Sequence, residues 1–246
     1  MKKEEKKSLE SVIGYASCSY GAAGSSTDEE MPCGDTVFSF RLPEGSQAVI
    51  LSDGMGHGAA AASESRLAAR WLRLFLKQGL PAARAIREVN RLLLEKTGSR
   101  EMFATVDLLV LEKEAGRARF YKLGAAPSYV VRGRRIPKVE QGALPVGILP
   151  RLKLTHVSAR LAAGDIIVMM SDGTSDSGGR CPKDRNCPDA SSRDWVESFL
   201  DDLMAEDERA ENMGPRKLAA RILEEAKRRS GGREMDDATV AVIKIR

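Results

Sequence analysis

The stretch AVILSDGMGHGAAA (Ala48–Ala61) decides how this chain is read. An apolar run stops on Asp53, turns on Gly54, Gly56 and Gly58, and enters alanine-rich sequence of helical character. Aspartate is a poor strand former, so its place at the end of a buried strand needs a reason. Turn chemistry supplies one, since Asp-Gly is a common turn pair. The pattern returns at MMSDGTSD (Met169–Asp176), where a strand again ends on Asp-Gly, with no helix expected after it.

Working outward, Thr36–Leu42 and Gln47–Asp53 read as a hairpin around the turn PEGS. Val12–Tyr20 reads as a strand and Gly21–Gly34 as a loop. Downstream, a helix is expected over Ala59–Lys77, with Leu67, Trp71, Leu74 and Phe75 at three-to-four spacing. Gly79 ends it, and Pro81 opens a second helix to Lys96 that carries Ile86, Val89, Leu93 and Leu94. Strands follow at Met102–Glu112, Ala118–Leu123, Ser128–Gly133, Leu152–Ala159 and Gly164–Asp172. After a loop over Gly178–Ser191 come helices at Ser192–Met204 and Pro215–Arg229, then a closing strand at Asp237–Arg246. Short turns, not alternating helices, join the strands. That argues against a doubly wound parallel sheet and for an α+β class, with helix pairs covering mainly antiparallel sheets. No repeat or linker divides the chain. Residues 1–10 read as a charged, disordered lead-in and residues 11–246 as one domain.

A length of 246 residues, 42% apolar and 30% charged, suits a globular chain with a real core. The 39 basic and 35 acidic residues leave a net charge of +4 with the signs interspersed. No basic stripe marks a nucleic-acid binder. No apolar run reaches the length of a membrane span, and the N-terminus lacks the apolar segment of a signal peptide. Cys18, Cys33, Cys181 and Cys187 are therefore read as reduced thiols, with a Cys181–Cys187 clip as the minor alternative. The CPKDRNC loop that holds the last two lacks zinc-knuckle spacing and reads as an insertion of unassigned purpose.

Four aspartates share one context. Asp35 precedes a strand, Asp53 and Asp172 end strands, and Asp236, beside Asp237, precedes the last strand. Strand ends in layered structures gather at a common edge. Converging carboxylates repel one another and push their pKa values up. A hard divalent cation relieves the repulsion, and Mg²⁺ and Mn²⁺ prefer such all-oxygen surroundings. Gly54 would let its backbone carbonyl approach an ion. Two histidines without zinc spacing argue against a nitrogen-rich zinc site. Two ions about 3.5–4 Å apart would activate water for in-line displacement at phosphorus.

CGD (Cys33–Asp35), SDGMGHG (Ser52–Gly58), MMSDG (Met169–Gly173) and DDATVAVIKI (Asp236–Ile245) stand in the order found in the metal-dependent PPM, or PP2C-like, serine/threonine phosphatases, which the chain resembles. LGAAPSYVVRG (Leu123–Gly133), LPVGIL (Leu144–Leu149) and AGDIIVMMSDG (Ala163–Gly173) are most similar to the bacterial branch, in particular the phosphatase domain of the stage II sporulation protein E family. The resemblance covers about Val12 to Ile245.

It implies a four-layer αββα sandwich with two Mn²⁺ or Mg²⁺ ions at the sheet edge. Asp53 would bridge the ions, Gly54 would add a carbonyl, and Asp172 and Asp236 would be further ligands. Asp35 would act through metal-bound water, and Asp237 would orient rather than bind. Met55 stands where many relatives have a histidine proposed as general acid; His57 reads as a helix-start residue. The phosphate-binding arginine of the eukaryotic first strand has no clear match. No cysteine signature with a following arginine is present, so no covalent phosphoenzyme is expected.

The implied reaction is hydrolysis of phosphoserine or phosphothreonine, with a phosphorylated anti-sigma-factor antagonist as the implied substrate in sporulation control. The helices 59–77 and 81–96 are associated with switching and homodimer contacts, though plain core helices explain their stripes equally. Longer relatives carry an N-terminal membrane region, so the chain reads as a fragment or a soluble cousin at the cytoplasmic face. A pseudophosphatase that binds phosphoprotein without hydrolysis is the alternative, and the retained acids argue against it. An anti-sigma kinase with a D-x-G-x-G turn does not fit, because Asp53 is followed by Gly-Met-Gly.

Overall fold

The computed structural model describes residues 9–19, 33–56, 58–96, 103–178, 194–206, 212–231 and 236–246. The strands are β1 (Ser11–Cys18), β2 (Asp35–Arg41), β3 (Gln47–Asp53), β4 (Val106–Glu112), β5 (Arg117–Leu123), β6 (Ser128–Val131), β7 (Lys138–Val139), β8 (Val157–Arg160), β9 (Ile166–Met170) and β10 (Ala238–Ile245). The helices are α1 (Gly58–Lys77), α2 (Ala82–Lys96), the one-turn α3 (Asp172–Ser175), α4 (Trp195–Glu206) and α5 (Pro215–Ser230). Two antiparallel sheets form, ordered β1-β10-β9-β6-β7 and β2-β3-β4-β5-β8.

Three apolar layers lie between four structural ones. Val49 and Leu51 of β3, Leu109 and Leu111 of β4, Ile167 and Met169 of β9 and Ala241 and Ile243 of β10 pack sheet against sheet. The alternate residues of the same strands face outward to helices. Ala48, Ile50 and Leu108 meet α1 and α2; Val168, Met170, Val240 and Val242 meet α4 and α5. Sheets buried on both faces have no solvent side, so these strands are apolar throughout although they are antiparallel. The expected αββα sandwich is the observed fold.

Close helix–sheet approach moves the α1 stripe. Ala61, Ala68, Ala69, Leu72 and Leu76 are fully buried, whereas Leu67, Trp71 and Phe75 flank the core and Leu74 is half-exposed. The helix ends in a Schellman motif: Leu80 N–H bonds to the Phe75 carbonyl, Gly79 N–H bonds to that of Leu76, and Gly79 takes φ +81°.

Two expectations change. The strand expected over Leu152–Ala159 is shortened to Val157–Arg160, because Leu152 and Leu154 pack against the α1/α2 core without joining a ladder. The second Asp-Gly does launch a helix: α3 starts on Asp172 and runs into a 3₁₀ turn at Asp176–Gly178. Residues 1–8, His57, most of the loops expected at Gly21–Gly34 and Gly178–Ser191, and the CPKDRNC segment lie outside the described residues.

Candidate active site

Each sheet delivers two of the four strand-end aspartates. Asp35 and Asp53 are register partners at the first residue of β2 and the last of β3. Asp172 and Asp236 flank β9 and β10 of the other sheet, which pair through Met170 and Val240. Asp35 and Asp53 are half-buried, while Asp172 and Asp236 are exposed.

Hydroxyls tie these ends together. Ser171 Oγ donates to Asp35 Oδ2 at 2.7 Å and accepts from the Thr239 N–H at 2.9 Å, linking the two sheets. The Ser171 N–H donates to the Thr239 carbonyl at 3.0 Å. On the other side, the Asp53 N–H donates to Thr105 Oγ1 at 2.8 Å, the Thr105 N–H to the Asp53 carbonyl at 2.9 Å, and Ser52 Oγ to the Thr105 carbonyl at 2.7 Å. Thr105, Ser171 and Thr239 were not legible as site residues, because a hydroxyl beside a strand end has no distinctive spacing.

Three glycines mark close approaches. A Cβ on Gly54 would collide with the Ala61 carbonyl of α1, so the glycine lets the helix cross directly over the Asp53 turn. A Cβ on Gly173 would collide with the Asp237 carbonyl, which sets Asp172 beside the Asp236–Asp237 backbone. A Cβ on Gly34 would stand 2.6 Å from Asp237 Oδ2, so the Asp237 carboxylate fills the space at that glycine. Asp237 is fully buried, and its N–H donates to Asp236 Oδ1 at 2.8 Å. Met55 is well exposed.

The electrostatics report convergence. Burial pushes Asp53 up to about 9, reinforced by the charges of Asp35, Asp172 and Asp236. Burial pushes Asp35 up to about 7 and the charge of Asp237 adds to this, against the pull of the Thr239 and Ser171 hydrogen bonds. Asp172 keeps an exposed surface, yet the packing around its carboxyl strips away enough water to raise its pKa, and the charge of Asp236 adds to this. Asp53 thus feels all three other aspartates. Burial first, then the charge of Asp35, pushes the Cys33 thiol beside them up to about 12, which disfavours the thiolate. Both Cys18 and Cys33 are free thiols.

Among the described residues, no three Asp, Glu, His or Cys side chains are drawn together as a ready-made metal cage. The donor set nevertheless fits a hard cation. It is all oxygen, the acids are held against their own repulsion, and Asp35 Oδ1 is buried without a hydrogen-bond partner.

A small cavity below is lined by Asp53, Thr105, Asp107, Met170, Ser171 and Asp172. Asp107 and, behind it, Lys122 are buried charges inside apolar strands. The sequence carried a signal for them, a charge within VDLLVLE and another within RARFYKL, but a single strand does not show which residue lies opposite.

The sequence model of the family described as stage II sporulation protein E (SpoIIE) matches residues 43–246. Two curated relatives carry that name. The one from Bacillus subtilis (strain 168) is 32% identical over 227 residues, 92% of this chain and 26% of the relative. The one from Priestia megaterium is 31% identical over 212 residues, 86% of this chain and 34% of the relative. The chain thus spans about a quarter to a third of their length. A solved structure of the PP2C phosphatase domain with a fragment of the regulatory domain of SpoIIE from Bacillus subtilis superposes with a TM-score of 0.78 at 28% identity, covering 97% of this chain and 64% of that one.

Proposed function

The chain belongs to the stage II sporulation protein E family, and we propose that it is a metal-dependent serine/threonine protein phosphatase domain acting on a phosphorylated anti-sigma-factor antagonist. The observation that carries the reading is that Asp53, register partner of Asp35 in one sheet, lies within electrostatic reach of Asp172 and Asp236 of the other and is pushed up to about 9. In this reading Asp53, Asp172 and Asp236, with the Gly54 carbonyl and Asp35, hold two Mn²⁺ or Mg²⁺ ions. When bound, the ions supply Lewis-acid activation of water and neutralise charge on the phosphoryl oxygens.

The chain's own residues do the rest. Ser171 holds the Asp35 carboxylate through Oδ2 and leaves Oδ1 for a further partner. Thr105 fixes the backbone on both sides of the Asp53 peptide. Asp237, buried under Gly34, orients the β10 entry rather than binding. Exposed Asp172 and Asp236 face the side from which a phosphoprotein would arrive. The helices α1 and α2 are the proposed dimer and switching elements, since α1 crosses Gly54 directly. No helix among the described residues is long and apolar enough to cross a membrane, and the domain is assigned to the cytoplasmic face.

The test is phosphate release from a phosphoserine protein with Mn²⁺, with EDTA, and with Asp53→Asn. Loss in both of the last two arms is expected, by about 10³-fold for Asp53→Asn if several kcal/mol of charge stabilisation go with the ligand. Activity that survives both overturns the reading. Phosphoprotein binding with no release in any arm would select the pseudophosphatase instead.

A further inference from the structure

Below the carboxylates lies a fully buried polar triad built from both sheets. Lys122 Nζ of β5 donates to Asp107 Oδ2 of β4 at 2.5 Å and to Ser128 Oγ of β6 at 2.8 Å. Ser128 Oγ donates to Asp107 Oδ2 at 3.1 Å. Asp107 and Lys122 are direct register partners. They lie on the face of their sheet that carries Leu109, Leu111, Ala118 and Phe120, which is the face turned toward the other sheet. Ser128 belongs to that other sheet, on the same face as Val130. The ion pair is therefore internal to one sheet, and Ser128 makes it a cross-link between the two.

Stability does not account for this arrangement. A buried ion pair loses most of its Coulomb gain to desolvation, and apolar residues of similar volume commonly serve as well or better. Away from the cavity the pair's neighbours on this face are Leu109, Leu111, Phe120 and Val130, among which an apolar pair would pack. Asp107 Oδ1 is also buried without a hydrogen-bond partner, so the triad is not optimised for itself. Its location is informative. Asp107 lines the same cavity as Asp53 of its own sheet and Asp172 of the other. Asp107 also pairs across the ladder with Leu51, two residues before Asp53. The site is assembled from two half-sites on two sheets that share no backbone ladder, so any sliding of one sheet over the other changes the spacing of the carboxylates. Apolar packing resists separation of sheets but specifies their offset weakly, whereas directional hydrogen bonds specify it well.

We propose that Asp107, Lys122 and Ser128 are positioning residues: the triad fixes the offset of the two sheets at the site end and thereby sets the spacing between Asp53 and Asp172. The inference rests on the metal-phosphatase reading for its consequence, and on the geometry alone for the spacing. Two variants separate positioning from mere stability. Ser128→Ala cuts the cross-link and leaves the Lys122–Asp107 pair intact. The double variant Asp107→Leu/Lys122→Met removes both charges together, so no uncompensated charge is left inside. Both are expected to fold with a cooperative transition near that of the unsubstituted chain.

In calorimetric titration with MnCl₂, both should bind about 10- to 100-fold more weakly, the range commanded by groups that orient metal ligands. At fixed Mn²⁺ below saturation, kcat on a phosphoserine protein should fall while KM for that protein stays put. Folded variants with unchanged Mn²⁺ affinity and kcat overturn the inference. A crystal structure of the Ser128→Ala chain without metal decides the geometric claim independently. A changed Asp53–Asp172 spacing supports it, and an unchanged one overturns it even if the unsubstituted chain takes up no Mn²⁺. That last result, no uptake by the unsubstituted chain, counts against the metal reading alone.

Discussion

Asp53-Gly54 and Asp172-Gly173 both close an apolar strand, yet their glycines answer to different neighbours. At the first, α1 crosses so tightly that Ala61 leaves no room for a Cβ, and Asp53 is paired in register with Asp35 and fixed on both sides by Thr105. At the second, the close neighbour is the Asp236–Asp237 backbone, the helix launched is a single turn, and Asp172 stays exposed. One dipeptide therefore serves two ends. The first junction couples a carboxylate to a twenty-residue helix. The second brings two carboxylates of one sheet side by side. A helix that moves would carry the first half-site and leave the second in place.

The largest effect should come from filling the two glycines. Gly54→Ala drives a methyl into the α1 backbone, which cannot turn away as a side chain can. A loss of about 3 kcal/mol in urea unfolding is expected, the upper end for overpacking. Gly173→Ala meets a carbonyl in the short segment before β10, which can shift, and should cost about 1–2 kcal/mol. Equal costs would mean that the two junctions are equally rigid and would remove the contrast.

Without metal, the same contrast has a pH signature. Asp53 is held protonated up to about 9 and Asp35 up to about 7, mainly by burial. In the unfolded chain both titrate at the ordinary value of about 3.9. Between these limits the folded chain keeps protons that the unfolded chain has released, so stability is fully present at low pH and falls as pH rises. In EDTA the melting temperature should therefore drop by several degrees between about pH 5 and about pH 8, since for a chain of this size ~1 kcal/mol moves it by roughly 2–4 °C. Asp53→Asn should flatten the profile more than Asp172→Asn, and excess Mn²⁺ should flatten it for the unsubstituted chain. A profile already flat in EDTA would show that the four acids do not share a site.

The four acids could be read from the sequence because each breaks a local rule: an aspartate stands where a strand should end on something apolar. The layered fold could be read because strands followed one another with short turns. What escaped depends on partners. Leu67, Trp71, Leu74 and Phe75 look like the buried stripe of α1, but Gly54 brings the helix so near the sheet that alanines and Leu72 fill the interface and Leu74 is left outside. Leu152 and Leu154 alternate like a strand, yet each satisfies its side chain by packing while its backbone joins no ladder. Asp107 and Lys122 lie fifteen residues apart in two apolar strands, and only the register that sets them opposite each other gives either a meaning.

The hydroxyls that hold the two junctions should give effects no larger than that of Gly173→Ala, and the smallest of all at Thr105. Thr105→Val removes one acceptor from the Asp53 N–H and should cost about 1 kcal/mol, the net value of one such bond. Ser171→Ala removes two bonds, one given to Asp35 Oδ2 and one accepted from the Thr239 N–H, and should cost about 2 kcal/mol. The two also differ in sign on the acids. Ser171 pulls the Asp35 pKa down against burial, so its loss should move Asp35 further up. Thr105 touches only the backbone of Asp53 and should leave the titration of that carboxyl where it is. Carbon-detected NMR titration of the aspartate carboxyls in EDTA reads both at once. A shift at Asp53 in Thr105→Val would mean that Thr105 acts beyond the Asp53 backbone, and no shift at Asp35 in Ser171→Ala would mean that the bridge from the other sheet does not lower the Asp35 pKa.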